Sequence, residues 1–306
     1  MSQRGHISQS KNTGTRLIRR GSRKARGDSH FISTAAAFIS TRTLLLPCFF
    51  QPLASSSAGN AYIVADDQTR LLLEAGVGHR KLQKLCGFAL GDFQGCLVSH
   101  EHKDHSKAVE ELISRGMPVY MSRGTAEALW GKPVEDEDSP RPADTPLINA
   151  GGKGGSFMEA VTEIRSMEQF SIGTLDIVPF AVFHDAREPL GFLIKSRLDG
   201  DTLAFATDTV NLRYRFPGLT MLAIEANYDK AILERCQKMP EKVRYRITNS
   251  HMEIDTLCDY LRGLDLRSCR EICLLHLSDA TSHEGHFINK VCRTVPRHVK
   301  VAACPK

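Results

Sequence analysis

No apolar run in the chain reaches the ~18 residues that a membrane-spanning helix requires. The best candidate, residues 31–50, is broken by Arg42 and dotted with serine and threonine, so no membrane association is expected. Cysteine motifs are lacking too. The nine cysteines are an odd number, irregularly spaced, and none stands in a CxxC pair. Free thiols in a reducing cytoplasm are therefore expected, and a thiolate metal site is not. No internal repeat is present. The glycines of GGKGG lack the GxxxxGK[ST] spacing of a phosphate loop, and residues 131–156 around them read as a long surface loop.

A basic excess is missing from most of the chain. The formal net charge is +5, yet residues 1–46 hold nine Lys or Arg and one acid. The other 260 residues carry 31 bases and 34 acids, a net of −3. The body is thus no strongly basic nucleic-acid grip, although RYR (213–215) and KVRYR (242–246) are locally basic. The tail, residues 1–46, is Arg- and Ser-rich, and disorder is the first expectation. Non-specific polyanion binding, an organelle transit peptide and an unused upstream translation start also fit its composition. The transit peptide is not favoured, so the expected location is cytoplasmic. Residues 47–306 are left as one domain.

What the chain does hold is SHEHKDHS, residues 99–106, with three histidines and an aspartate inside six residues. GCLV before it reads as a buried strand, and KAVEELI after it has helical apolar spacing. Other apolar runs behave alike. TRLLLE ends on Glu74, GCLVSH on His100, LDIVPFAVFH on His184, TLAFATD on Asp208, MLAIE on Glu225 and EICLLH on His276. Neighbouring strands that all finish on a His, Asp or Glu would gather those side chains at one sheet edge. A buried charge is costly unless paired or bound to a metal, so a metal site is the expectation. Helical spacing separates several strands, notably Ile254, Leu257, Cys258 and Leu261, and an α/β layered fold follows. His100 and His102, two apart, can grip one ion, while Asp104 and His105 can grip a second. Ser55, Ser56, Ser57, Gly59 and Asn60 read as a small-residue turn before the strand AYIV.

SHEHKDH resembles the HxHxDH signature of the metallo-β-lactamase fold superfamily, and His184, Asp208 and His276 follow in that superfamily's order. SSSAGNAYIV, FHDAREPLGF, IEANYD and LLHLS resemble its YycJ/WalJ type of phosphodiesterase, over about residues 49–290. The resemblance implies a four-layer αββα sandwich with two divalent ions, Zn2+ or Mn2+, at one edge. It implies His100, His102 and His184 on the first ion, Asp104, His105 and His276 on the second, and Asp208 on both. The implied reaction is phosphodiester hydrolysis by a hydroxide shared between the ions. Asp104 then counts with the catalytic residues. Glu225 and His251 resemble the pair that protonates the leaving group in the tRNA 3′-processing nucleases of the superfamily. The implied substrate is single-stranded nucleic acid, DNA or RNA, and an exonuclease fits better than a large processing enzyme. The alternative is a small-molecule hydrolase on the same fold: a cyclic phosphodiesterase, thioesterase or lactonase. Two stretches depart from the pattern. Glu74 stands where the superfamily usually has Asp, and DATSH follows HLS, so Ser282, His283 and His286 are left out of the site. Oligomeric state is left open.

Overall fold

Period-two patterning builds two sheets. The computed structural model describes residues 49–131, 154–236 and 238–305. The first sheet runs in the order β1 (Phe49–Ala54), β2 (Ala61–Ala65), β3 (Arg70–Leu73), β4 (Gly95–Leu97), β5 (Val119–Met121), β6 (Thr162–Glu163). The second runs from β7 (Phe170–Ile172) through β8 (Leu175–Ala181), β9 (Leu190–Ser196), β10 (Thr202–Ala206), β11 (Met221–Glu225) and β12 (Glu271–Leu275) to β13 (Lys300–Ala303). Each sheet is antiparallel in its first strands and parallel in its later ones, β3 to β6 and β10 to β13. The proposed tail, residues 1–46, lies outside the described residues.

Alternate side chains of these strands face different cores. Tyr62, Val64, Leu71, Leu73 and Leu97 of the first sheet meet Phe192, Leu203, Phe205, Ala223 and Leu275 of the second. The other face of the first sheet, with Ile63, Leu72 and Cys96, is covered by α1 (His79–Leu85), α3 (Val109–Ser114) and α4 (Arg123–Trp130), following the short α2 (Lys103–Ser106). α5 (Gly154–Ala160) joins that layer through Phe157 and Met158. After α6 (Lys230–Arg235) and α7 (Glu241–Ser250), α8 (Ile254–Arg262) and α9 (Glu284–Thr294) cover the outer face of the second sheet. There Leu257, Leu261, Phe287 and Val291 pack on Ala204, Ile224 and Leu274. The architecture is the expected α/β, αββα arrangement of layers.

Two expectations are corrected. The loop expected over residues 131–156 ends earlier, because α5 begins at Gly154; residues 132–153 lie outside the described residues. Packing of the Phe157 ring on Trp130, centroids 5.8 Å apart, overrides the poor helix propensity of the glycines. The strands also stop short of the polar residues that were expected to end them. β3 and β12 stop one residue before Glu74 and His276, and β10 two residues before Asp208; those three polar residues adopt φ of 67°, 51° and 42°. The left-handed region breaks strand pairing and turns the side chain away from the strand's alternation. Among the six expected strand ends, only Glu225 is the last residue of its strand.

The loops at this edge are laced together by backbone. Asn60 N donates to Asp104 O at 2.7 Å, Ala75 N to His105 O at 2.8 Å and Gly76 N to Asn60 O at 2.9 Å. Gly76 permits that closeness, since a Cβ there would lie 1.5 Å from the Asp104 carbonyl oxygen. A Gly76→Ala substitution must push the 99–106 turn away. The expected loss is about 1–3 kcal/mol, as for other overpacked sites, read from the urea midpoint. An unchanged midpoint would contradict this close approach.

Candidate metal centre

The polar cluster is assembled from the carboxyl ends of parallel strands, where open α/β sheets place their ligands. β4 leads into His100 and His102, and α2 then supplies Asp104 and His105. β10 delivers Asp208, β11 Glu225 and β12 His276, while His184 follows β8 from the antiparallel half. The structure brings every expected site residue together. Ligand atoms of His100, His102 and His184 lie within 4.8 Å of one another. So do those of Asp104, His105, Asp208 and His276, and those of Asp208, Glu225, His251 and His276.

The first group is three imidazoles facing one another. His102 Nδ1 is 3.1 Å from both His100 Nε2 and His184 Nε2. His184 Nδ1 lies 2.7 Å from the Ser250 carbonyl oxygen, which only accepts, so the proton sits on Nδ1 and Nε2 offers a lone pair. Burial pushes His100 well below the ordinary histidine range, with His105 and His184 adding to the effect. It lowers His184 as well, and brings His102 down to about 4. Neutral rings with converging lone pairs repel unless a cation lies among them. Ring nitrogens on a tetrahedral ion sit roughly 3.3 Å apart, close to the spacing seen.

The second group is dominated by carboxylates. His105 Nε2 lies 3.5 Å from both Asp104 Oδ2 and Asp208 Oδ2, and its Nδ1 is 3.3 Å from Glu74 Oε2. His276 Nδ1 is 2.9 Å from Asp208 Oδ1, and its Nε2 is 3.5 Å from Asp104 Oδ2. Burial would lower both histidines. For His105 the charges of Asp208, Asp104 and Glu74 outweigh it and raise the pKa well above the ordinary value. For His276, Asp208, Asp104 and Glu225 do the same. Burial opposes ionisation of Asp208, but His276 and His105 hold its pKa well down. Asp208 also reaches the first group, with Oδ2 3.5 Å from His184 Nε2 and 4.0 Å from His100 Nε2. A set of imidazoles and carboxylates around buried negative charge fits divalent cations, for which protons are a partial substitute.

Glu225 is buried and fully engaged. Its Oε2 accepts from Thr209 N at 2.7 Å and Met252 N at 3.1 Å, and its Oε1 meets His251 Nδ1 at 2.7 Å. His251 lies between α7 and α8, and its ring centroid is 5.1 Å from that of His184. Glu74, the longer acid, accepts from Ser99 N at 3.3 Å while facing His105, so it still braces the HxHxDH turn. The 55–60 turn does more than connect strands. Ser55 Oγ accepts from His276 N at 2.9 Å, and Asn60 Nδ2 donates to Asp104 O at 3.1 Å. His286 is half exposed and pairs with Asp229 at 3.4 Å, while His283 caps α9. Residues the sequence did not flag also hold the cluster. The Ser250 carbonyl orients His184, the Thr209 amide fixes Glu225, and Asn227 Nδ2 donates to His276 O at 3.0 Å. The first two act through backbone atoms, which leave no mark on residue type.

A family model described as the beta-lactamase superfamily domain matches residues 69–277. Among curated proteins, the chain is 28% identical over 242 residues to a Bacillus anthracis protein named exodeoxyribonuclease YycJ, covering 75% of this chain and 82% of that one. It is 30% identical over 189 residues to Streptococcus pneumoniae exodeoxyribonuclease WalJ, covering 59% of this chain and 63% of that one. Among solved structures, the metallo-beta-lactamase fold protein YhfI from Bacillus subtilis superposes with a TM-score of 0.59 at 15% identity, covering 85% of this chain and 98% of that one.

The two histidine groups give the metal-free protein a defined pH response. His102, unperturbed at 6.5 when unfolded and held at about 4 when folded, costs stability as pH falls from about 6.5 to about 4, and His100 and His184 act in the same direction. His105 and His276, raised when folded, contribute fully below about 6.5, and that contribution is lost as pH rises through their folded values. Urea midpoints of EDTA-treated protein should therefore peak near pH 6.5 and fall on either side. A midpoint flat from pH 4 to 6.5 would contradict the neutral-imidazole assignment.

Proposed function

The chain belongs to the beta-lactamase superfamily, and from that premise we propose that it is a phosphodiesterase acting on single-stranded nucleic acid, with two divalent ions, Zn2+ or Mn2+. In this reading His100, His102 and His184 would hold one ion, Asp104, His105 and His276 would hold the other, and Asp208 would serve both. The observation that carries the choice of bond is the Glu225–His251 pair, 2.7 Å apart beside the carboxylate group. Such a pair suits protonation of a leaving alkoxide and has no task in simple thioester cleavage. The exodeoxyribonuclease names of the two relatives, at 28% and 30% identity, support the same choice.

The ions, when bound, would lower the pKa of water and offset charge on the phosphate oxygens. The chain's own residues supply orientation and a proton. Ser250 and Ser99 hold His184 and His100 through their Nδ1 atoms, at 2.7 and 2.8 Å, so both rings present Nε2. Glu225, fixed by two backbone amides, keeps the His251 proton on Nδ1 and leaves Nε2 to carry a proton to the leaving oxygen. No described helix is long and apolar enough to cross a membrane.

Cleavage of labelled single-stranded DNA with Mn2+ tests the reading. Asp208→Ala and EDTA should each abolish cleavage. His251→Ala should lower kcat by about 10²–10⁴-fold with bound metal retained, the usual worth of a general acid. Turnover of thioesters or lactones in place of DNA, insensitive to His251→Ala, would overturn the phosphodiesterase assignment.

A further inference from the structure

The two basic-aromatic stretches, RYR (213–215) and KVRYR (242–246), have no part in the metal centre, yet both converge on the segment that carries His184. Phe183 is exposed, 39% of its surface open, and the Arg213 guanidinium lies over its ring at 4.4 Å from the centroid. The Phe183 backbone is pinned beside the metal cluster. Its N donates to Thr209 Oγ1 at 3.0 Å, and its O accepts from Val210 N at 2.9 Å, one and two residues after Asp208. On the other side of His184, Asp185 Oδ2 accepts from Arg246 Nε at 2.7 Å. Arg246 is on α7, next to Tyr245, which is 70% exposed. The same helix ends at Ser250, whose carbonyl orients His184.

α7 has little hydrophobic reason to be where it is. Among its residues only Ser250 is buried, and Val243 and Tyr245 stand in solvent. A helix polar on nearly every face is held by specific bonds, here Arg244 to the Leu233 and Cys236 carbonyls and Arg246 to Asp185. Exposed aromatic rings beside arginines match the chemistry that grips single strands, and they supply local positive charge in a body whose net charge is −3 over residues 47–306. The base takes the π-face and the cation takes the backbone.

We propose that Phe183, with Arg213 laid over it, and Tyr245 are base-stacking surfaces for single-stranded DNA whose reacting phosphate lies beside His184; this rests on the phosphodiesterase reading. Phe183 adjoins His184, with neighbouring Cα atoms about 3.8 Å apart, so the stacking surface would begin one residue from the metal cluster. The strand is recognised by stacking, which every base can provide, rather than by sequence.

The test is fluorescence anisotropy of the metal-loaded protein with phosphorothioate-linked oligothymidylate and with an abasic oligomer of equal length. The native protein should bind the base-bearing strand more tightly. Phe183→Leu and Tyr245→Ala should each weaken that binding by about 5- to 150-fold, the worth of one stacked base, and narrow the gap to the abasic strand. Phe183→Trp should preserve the gap, which a merely structural role would not predict. A native protein that binds both strands equally, or variants that keep the full gap, would overturn the proposal. Base-dependent binding without cleavage of ordinary single-stranded DNA would leave the stacking surfaces standing and remove the phosphodiesterase reading.

Discussion

Asp208 is a carboxylate with 3% of its side chain exposed, and the rest of the site is organised around keeping it charged. It approaches His100, His105, His184 and His276, at 2.9 to 4.0 Å. Glu74 and Glu225 are fully buried nearby, and an uncompensated buried carboxylate would cost several kcal/mol. Imidazoles meet this demand only in part: His105 and His276 are raised toward the protonated form, while burial drives His100, His102 and His184 toward the neutral one. Divalent cations would satisfy both halves of the cluster at once, accepting neutral nitrogen lone pairs on one side and balancing carboxylates on the other.

The scaffold holds this arrangement under strain. Glu74, Asp208 and His276 adopt left-handed backbone at φ of 67°, 42° and 51°. Each such residue costs on the order of 1–3 kcal/mol, and persists only where its surroundings over-determine it. The over-determination is visible at each position. β3, β10 and β12 are paired on both sides in their sheets, and Ser55, Thr207 and Ser99 bond to the three residues directly. The sheet interior, with Phe205 among Phe50, Tyr62 and Phe192, makes the strand ends a fixed frame. The left-handed turns swing three acids and imidazoles out of the strand alternation and into one cluster.

Much of this was legible in the residues. The alternation in AYIV and RLLL separates one core from the other, and the six polar strand-end positions gather at one rim. The strand ends themselves were misread by one to three residues, since apolar patterning says nothing about φ at the residue that follows. α7 was not legible at all, because its residues EKVRYRITNS show no apolar stripe. The bonds that place it, from Arg246 to Asp185 and from His184 to the Ser250 carbonyl, join residues 61 and 66 positions apart. Glycines hid the start of α5, which Phe157 on Trp130 stabilises. The positioning of Glu225 and His184 through backbone amide and carbonyl groups could not be read from residue type.

The most direct measurement of the central claim is metal content by mass spectrometry on the purified protein and on Asp208→Asn, after equilibration with Zn2+ and with Mn2+. The account predicts two ions per chain in the native protein and fewer in the variant, because the residue removed touches both groups. One ion or none in the native protein, or no loss in the variant, would contradict a cluster whose buried charge is balanced by a metal pair.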